Sequence, residues 1–199
     1  MPVHKTKPKL TLEYPPCFSL LSIHPSLLFL PHGAPGMFSH LLQDWHANAD
    51  NRKGRFIAFA FRLGQLLKAA PTSIRWLFIP YFAFYSFMFA WVFGVEIPLR
   101  TRIGAGVRIL HGQGLVVHSD AVIGRNCHLK QCTTIGFAHG GSPVIGDNVN
   151  IGSNSVILGN IQIGNNVVIG AGAVVVKDLP SDCIAVGNPA RVVRQNRVT

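Results

Sequence analysis

The sequence predicts a mainly β fold: a parallel β-solenoid of about four coils, preceded by an α-helical region. Two observations predict it. Over residues 97–175 an aliphatic residue recurs at every sixth position apart from two interruptions, and glycine often follows it directly. A six-residue period fits neither one face of an α-helix nor the alternation of a flat strand. In a solenoid, three hexads close one triangular coil and each aliphatic side chain points inward.

All thirteen inward positions of this repeat are aliphatic. They are Ile97, Ile103, Ile109, Val117, Ile123, Leu129, Ile135, Ile145, Ile151, Ile157, Ile163, Ile169 and Val175. Each stacks on its equivalent in the next coil, about 4.8 Å away, as hydrogen-bonded strands do. Burial of each side chain contributes roughly 1.5–3 kcal/mol to folding. We expect the glycines to supply the backbone freedom that the turns need, and the repeat predicts a β-helix domain with a C-terminal tail over residues 95–199.

The period is broken twice. The stretch "ILHGQGLV" spends eight residues before Val117, so two residues must bulge outward, and His111 lies on this bulge. The stretch "GFAHGGSPV" adds four residues between Ile135 and Ile145 and predicts a glycine-rich loop that leaves the solenoid. Because insertions in a solenoid commonly map to one functional face, these two could line one cleft.

Residues 37–94 are predicted to form a strongly apolar, α-helical region. Over residues 37–69 we expect a helix that ends before Pro71. Its apolar residues close to one face are Phe56, Phe59, Leu63, Leu66 and Leu67. Residues 76–95 follow without a charged side chain, a length that would just span a bilayer. Pro80 and the lack of a second such stretch favour burial between subunits or peripheral membrane contact over a span.

The first 36 residues contain seven prolines and no helical or alternating period, so we expect a poorly ordered arm. Its basic start and apolar run imitate a signal peptide, but His24 and Pro25 interrupt the run. Met37 could equally be the true start of the protein.

Charge and cysteine usage limit the functional classes. Lys and Arg outnumber Asp and Glu by 18 to 8, but the excess is spread along the chain, so no basic patch indicates a nucleic-acid partner. The cysteines, Cys17, Cys127, Cys132 and Cys183, show no C-x-x-C spacing. Neither a disulfide framework nor a zinc knuckle is indicated. We expect a cytoplasmic protein, and the apolar stretch leaves open an association with the inner face of the cytoplasmic membrane.

Three motifs, "GVEIP", "HGQGLVV" and "GNPAR", resemble those of the left-handed β-helix acyltransferases of the serine acetyltransferase-like type. The resemblance covers residues 95–195. The upstream segment "QDWHANADNRKGRF" resembles the branch that acts in exopolysaccharide and colanic acid biosynthesis. This resemblance implies a left-handed β-helix, a homotrimer, and acetyl-CoA bound as co-substrate, without a metal, in the groove between neighbouring subunits.

The resemblance also implies roles for individual residues. His111 matches the general base of the family, and Glu96, fifteen residues earlier, matches the acid that orients it. A neutral imidazole takes the proton of an acceptor hydroxyl as the oxygen attacks the thioester carbonyl, and a carboxylate on the other ring nitrogen fixes the tautomer. The positions matching acetyl-CoA contacts are Gly136, Ser153 and Ala171 for pantetheine, and Lys177, Arg191 and Arg194 for the phosphates.

We infer the acceptor from positions at which this chain departs from the serine acetyltransferase motifs. Serine acetyltransferases carry an Asp before the base and an Arg-His pair before the Pro of the second loop, whereas this chain has Leu110, Gly141 and Ser142 there. A neutral sugar hydroxyl needs neither charge, so we expect a sugar or glycan precursor of exopolysaccharide biosynthesis as acceptor. Serine O-acetylation in cysteine biosynthesis remains the alternative. The role of His139, in the same loop, stays open.

Two other classes remain. A γ-type carbonic anhydrase uses the same solenoid with three histidines on zinc, and His111, His118, His128 and His139 are available. However, His128 shares no evident face with His111. A non-catalytic trimeric scaffold is the other alternative, and it would not bind CoA.

Overall fold

The computed structural model describes residues 36–195; the predicted arm lies, apart from its last residue, outside them. The helical elements are α1 (Met37–Leu42), α2 (Arg52–Lys68), α3 (Thr72–Arg75), a 3-10 turn (Trp76–Phe78), α4 (Ile79–Ser86) and a π-helical turn (Phe87–Val92). None of the helices in this part of the chain is long and apolar enough to cross a membrane.

Within residues 36–195, fifteen short strands follow the helices. They are β1 (Val95–Glu96), β2 (Arg102–Ile103), β3 (Arg108–Leu110), β4 (Leu115–Val117), β5 (Val122–Ile123), β6 (His128–Lys130), β7 (Thr134–Gly136), β8 (Val144–Ile145), β9 (Asn150–Ile151), β10 (Val156–Leu158), β11 (Gln162–Ile163), β12 (Val168–Ile169), β13 (Val174–Val175), β14 (Cys183–Val186) and β15 (Arg191–Gln195).

The strands form three sheets that wind as a parallel solenoid of about five turns. The first sheet has the order β1-β4-β7-β10-β13, the second β11-β8-β5-β2, and the third β15-β14-β12-β9-β6-β3. All pairings are parallel except β14 with β15. The chain passes from the first sheet to the second, then to the third, and back to the first. The mainly β, hexapeptide-repeat fold is therefore confirmed, with about five turns where about four coils were expected.

The strand register shows where the coils lengthen. Val156 pairs with Val174, eighteen residues on, as three regular hexads require. Val95 pairs with Leu115, twenty residues on, across the first interruption. Thr134 pairs with Val156, twenty-two residues on, across the second. All thirteen inward side chains are buried, so both interruptions add their residues at corners and leave the core in step.

The glycines of the repeat have a different role from the one expected. Gly124 does not adopt a positive φ, whereas Asn126, Asn148 and Asn166 do, at 56–58°. A Cβ at Gly124 would lie 2.4 Å from the carbonyl oxygen of Gly146 in the next coil. The glycine is required because successive coils approach closely there, and asparagine supplies the left-handed turns, a conformation it tolerates better than most residues.

The predicted helix over residues 37–69 is interrupted, since residues 43–50 form turns between α1 and α2. The apolar face noted in the sequence is also not the buried one: Phe56 is 46% exposed, whereas Ile57 and Phe61 are buried. The physical reason is close packing. A Cβ at Gly64 would lie 2.5 Å from Leu99, so the face of α2 with small residues meets the solenoid.

A cluster of polar side chains covers the open end of the solenoid. Arg62 Nε donates to Asp44 Oδ2 at 2.7 Å, and the Arg62 guanidinium also donates to the carbonyls of Ile103 and Gly104. Asp44 Oδ1 accepts the N–H groups of Gly106 and Val107. A final contact is made by Asn48, which accepts from the N–H of Ile109. These bonds replace the coil that is missing beyond β3, the edge strand of the third sheet.

Candidate active site

His111 lies at the corner where the chain passes from β3 to β4. Its side chain is exposed and its backbone is left-handed, with φ of 64°. The Gly112 N–H donates to the Leu110 carbonyl at 2.8 Å, and the Gly114 N–H donates to the Gly94 carbonyl at 2.7 Å. The bulge expected from the sequence is therefore an ordered turn that holds an imidazole outward.

The same edge of the solenoid carries other predicted site residues. Ser153 lies at the corner between β9 and β10, and Ala171 at the corner between β12 and β13. Both corners join the third sheet to the first, as does the corner of His111. Backbone hydrogen bonds link successive corners, from Cys132 N–H to Gln113 O at 2.7 Å and onward down the edge. We name this line of corners, from His111 to Ala171, the catalytic edge.

Ser153 is half-buried and Ala171 is exposed. Small side chains at these positions leave the catalytic edge open to a long, narrow ligand. The corners of His111 and Ala171 are three coils apart, or about 14 Å at the spacing of hydrogen-bonded strands.

Glu96 is the second residue of β1. Its side chain is exposed, and its backbone pairs with Val116, which lies next to the His111 bulge in the chain. Within residues 36–195 no hydrogen bond joins the Glu96 carboxylate to the His111 ring. The orienting role of Glu96 therefore remains a prediction, as does the role of His111 itself.

The remaining predicted site residues lie away from the catalytic edge. Gly136 ends β7 and Lys177 follows β13, so both lie at the opposite edge of the first sheet. A Cβ at Gly136 would lie 2.7 Å from Leu158, so packing alone accounts for that glycine. Arg191 and Arg194 are exposed on β15, the last strand. Their contacts with acetyl-CoA stay predictions.

A cleft of about 580 Å³ lies beside Glu96. Its walls are largely apolar, and its charged lining residues are Glu96, Lys68 and Arg75. Arg75 Nη2 donates to Thr72 Oγ1 at 2.6 Å, but within the described chain its Nε is buried without a hydrogen-bond partner. A buried donor without a partner is uncommon in folded proteins.

Another wall residue of the cleft, Tyr85, has a structural role. Its hydroxyl donates to the carbonyl of Ile97 at 3.0 Å. Burial raises the pKa of the Tyr85 hydroxyl, so this group stays protonated and is not a candidate base.

Sequence reasoning missed a contact between the second insertion and β4. Ser142 Oγ lies 2.8 Å from His118 Nδ1, and the ring of Phe137 lies 5.6 Å from the His118 ring. Because Asp120 N–H also donates to Nδ1, that nitrogen is an acceptor and the Ser142 hydroxyl donates. The sequence positions could have indicated this contact, because His118 directly follows β4 and the insertion directly follows β7, which are neighbouring strands of the first sheet.

The γ-carbonic-anhydrase alternative requires three zinc ligands that converge on one point. Across residues 36–195, no three His, Cys, Asp or Glu side chains lie close enough together to hold a metal ion. That part of the chain therefore offers no ligand set for a γ-carbonic-anhydrase-like site.

Comparison with known proteins identifies serine acetyltransferases among the relatives of this chain. The family described as "Bacterial transferase hexapeptide (six repeats)" matches residues 142–177. The serine acetyltransferase of Synechococcus elongatus is 45% identical over 109 residues, which are 53% of this chain and 45% of the relative. Serine acetyltransferase 3 of Arabidopsis thaliana is 44% identical over 105 residues, 51% of this chain and 27% of the relative. The chain thus spans less than half the length of these curated relatives.

Solved structures agree. The soybean serine acetyltransferase apoenzyme has a TM-score of 0.67 and 37% identity, with 80% of this chain and 69% of that chain covered. The serine acetyltransferase of Brucella abortus strain S19 has a TM-score of 0.67 and 30% identity, with 81% and 71% covered.

These relatives correct the expected acceptor and branch. The prediction of a sugar hydroxyl in exopolysaccharide or colanic acid biosynthesis is wrong, because the matching proteins are serine acetyltransferases. It relied on missing charges at Leu110, Gly141 and Ser142, but a site can draw charge from elsewhere, and Lys68 and Arg75 line a cleft outside the motifs compared. The chain belongs to the hexapeptide-repeat acetyltransferases, the family that includes the serine acetyltransferases.

Proposed function

We propose that this protein is an acetyl-CoA-dependent O-acetyltransferase that acts on L-serine, with His111 as general base. The observation that carries the proposal is the catalytic edge, where an exposed imidazole on an ordered corner stands in line with the small residues Ser153 and Ala171. The serine acetyltransferases among the relatives support the reaction and the acceptor.

In the proposed reaction, neutral His111 accepts the proton of the serine hydroxyl as that oxygen attacks the thioester carbonyl of acetyl-CoA. The carbon–sulfur bond then breaks, and the leaving CoA sulfur takes the proton from the His111 imidazolium. The products are O-acetylserine and CoA. General-base assistance of this kind accelerates a reaction about 10²- to 10⁴-fold, and no covalent enzyme intermediate is required.

We place acetyl-CoA along the catalytic edge. The thioester lies near His111 and the pantetheine arm follows the corners toward Ala171. Arg191 and Arg194 lie on β15, the end strand of the third sheet, and this sheet borders the catalytic edge, so we assign the phosphates of CoA to these two cations. Lys177 lies at the opposite edge of the first sheet, so a contact with CoA would have to come from a neighbouring subunit. Serine acetyltransferases have been solved in complex with CoA, which supports CoA as the ligand.

We assign the carboxylate of serine to Lys68 and Arg75. Both line the cleft that also contains Glu96. Charge-assisted hydrogen bonds from such cations to a carboxylate are stronger than those between neutral groups. These two cations would replace the arginine and histidine that the second loop lacks.

We further propose a homotrimer with three equivalent sites. An exposed edge lined by small residues cannot enclose a ligand on one subunit, and a neighbouring solenoid would form the second wall of the groove. Light scattering of the full chain in the presence of CoA tests the assembly; a monomer that binds CoA would contradict it.

The function is tested by following thiol release from acetyl-CoA with L-serine and without acceptor. We expect release that depends on L-serine. Binding of acetyl-CoA without serine-dependent release would contradict the acceptor. Failure to bind acetyl-CoA at all would contradict the enzymatic function and favour the alternative of a non-catalytic scaffold.

The acceptor contact has its own test. Arg75→Met should raise the KM for L-serine at least about tenfold, because charge-assisted contacts to a carboxylate are strong, while the KM for acetyl-CoA stays unchanged. With L-serinamide, which lacks the carboxylate, variant and wild type should behave alike. Arg100→Met is the matched control, since its exposed side chain pairs with Asp120. An equal effect on serine and serinamide would contradict the assignment.

A further inference from the structure

The helical segment before the solenoid is apolar on both sides. Its inner side is fully accounted for: the Tyr81 hydroxyl donates to the Ala60 carbonyl at 2.6 Å, the ring of Tyr85 stacks on that of Phe89 at 4.4 Å, and Phe89 is buried. These contacts fix the segment against α2 and β1. Side chains on the opposite side of the segment point away from these contacts.

The opposite side exposes large apolar side chains, each more than half accessible to solvent. We name it the outer apolar face, and its members are Trp76, Leu77, Ile79, Phe84, Phe87, Trp91 and Val92. Trp91 is 83% exposed. A surface helix of a soluble protein normally carries polar side chains on this side, and a contiguous exposed apolar patch of this size marks an interaction surface.

The charge around the face indicates its partner. From residue 51 to residue 95 the chain has no Asp or Glu. Its charged residues are Arg52, Lys53, Arg55, Arg62, Lys68 and Arg75. Arg62 is buried in its pair with Asp44, and Lys68 and Arg75 line the cleft beside Glu96, so Arg52, Lys53 and Arg55 are the cations left for a partner. A second copy of this segment would bring further cations and no acids, whereas anionic lipid headgroups would complement the charge.

We propose that the outer apolar face docks on an anionic lipid surface. Tryptophan and phenylalanine enter the boundary between headgroups and acyl chains, as in other helices that lie in the membrane interface. Neighbouring cations meet the headgroup phosphates. The segment lies along the surface and does not cross it, because its inner side is packed against the protein.

The test uses the full chain with vesicles of phosphatidylcholine, with and without phosphatidylglycerol, and measures the fraction of protein that floats with the vesicles. We expect binding to the phosphatidylglycerol vesicles, weakened by high salt. The double variant Trp76→Ser/Trp91→Ser should bind at least about tenfold less, because it removes two interfacial anchors. Val193→Ser is the control, since Val193 is 62% exposed on the last strand.

Three results would overturn the proposal. One is no binding to either vesicle, and another is equal binding by the double variant and the wild type. The third is a smaller mass of the double variant in light scattering, because the outer apolar face would then be a contact between copies of the chain.

Discussion

Asp44 and Arg62 form a buried ion pair, with Asp44 Oδ2 2.7 Å from Arg62 Nε and both side chains almost wholly excluded from solvent. The pair joins the turn between α1 and α2 to the middle of α2. Each member also bonds the backbone of the first coil. The helical region is thereby attached to the solenoid by hydrogen bonds that neither part could satisfy alone.

We expect Asp44→Ala to lower the free energy of unfolding by about 3–5 kcal/mol, since it leaves a buried guanidinium and two N–H groups without their acceptor. Asp50→Ala is the control, because Asp50 is 66% exposed in its ion pair with Arg108 and solvent-exposed pairs contribute about 0–1 kcal/mol. Urea denaturation followed by circular dichroism measures both. An equal loss of unfolding free energy in the two variants would show that the buried pair stabilises the fold no more than the exposed one.

His111→Ala should bind acetyl-CoA as the wild type does, while kcat falls at least about 10²-fold, because the lost interaction exists chiefly in the transition state. Glu96→Gln should reduce kcat less, since the imidazole remains. His46→Ala serves as control: it removes another exposed histidine, outside both insertions. An active His111→Ala enzyme would refute the mechanism.

Cys132 should report on occupancy of the catalytic edge. It is exposed, and its N–H bonds the carbonyl of Gln113, at the His111 corner. Cys127 is buried, and burial raises the pKa of its thiol to about 11. At about pH 8 iodoacetamide should therefore modify Cys132 and spare Cys127. CoA should slow the modification of Cys132, as peptide mass spectrometry can measure. An unchanged rate would place CoA elsewhere.

Stability should fall in mild acid partly because of His128. Burial, followed by the positive charges of Arg108 and Lys130, lowers the pKa of this half-buried imidazole. The unfolded chain then takes up the proton more readily, so the stabilisation is complete above the ordinary histidine value of about 6.5 and is lost as the pH falls below it.

His128→Gln should therefore lose less stability between about pH 8 and about pH 5.5 than the wild type. Urea midpoints at the two pH values measure the difference. Part of the loss should persist, because burial and Arg62 also lower the pKa of His40. His46→Gln, which changes an exposed histidine, is the control. A variant with the full acid sensitivity of the wild type would contradict this assignment.

The solenoid could be predicted because the six-residue period alone identifies each inward residue. A period of six places Ile157 in the core without knowledge of any distant residue, and a change in spacing locates the two corners where the chain lengthens. The corner that carries His111 was therefore visible in the sequence. The shared edge of His111, Ser153 and Ala171 follows only once the sheets are assembled.

The helical region could not be predicted in the same way. Its amphipathic pattern pointed to Phe56, but the buried face is selected by close contact, such as that of Gly64 with Leu99. The partners of Asp44 lie as far away as Val107, and no local pattern specifies them. The acceptor prediction failed similarly, because it considered only positions inside the motifs.

The corner that lengthens after β7 also has an evolutionary consequence. Its four extra residues leave Ile135 and Ile145 buried and the following strands in register. Insertions and deletions at such corners therefore change the surface that a substrate meets without a matching change in folding free energy. Lineages that carry this solenoid can diversify in specificity while the selection that maintains their core stays the same.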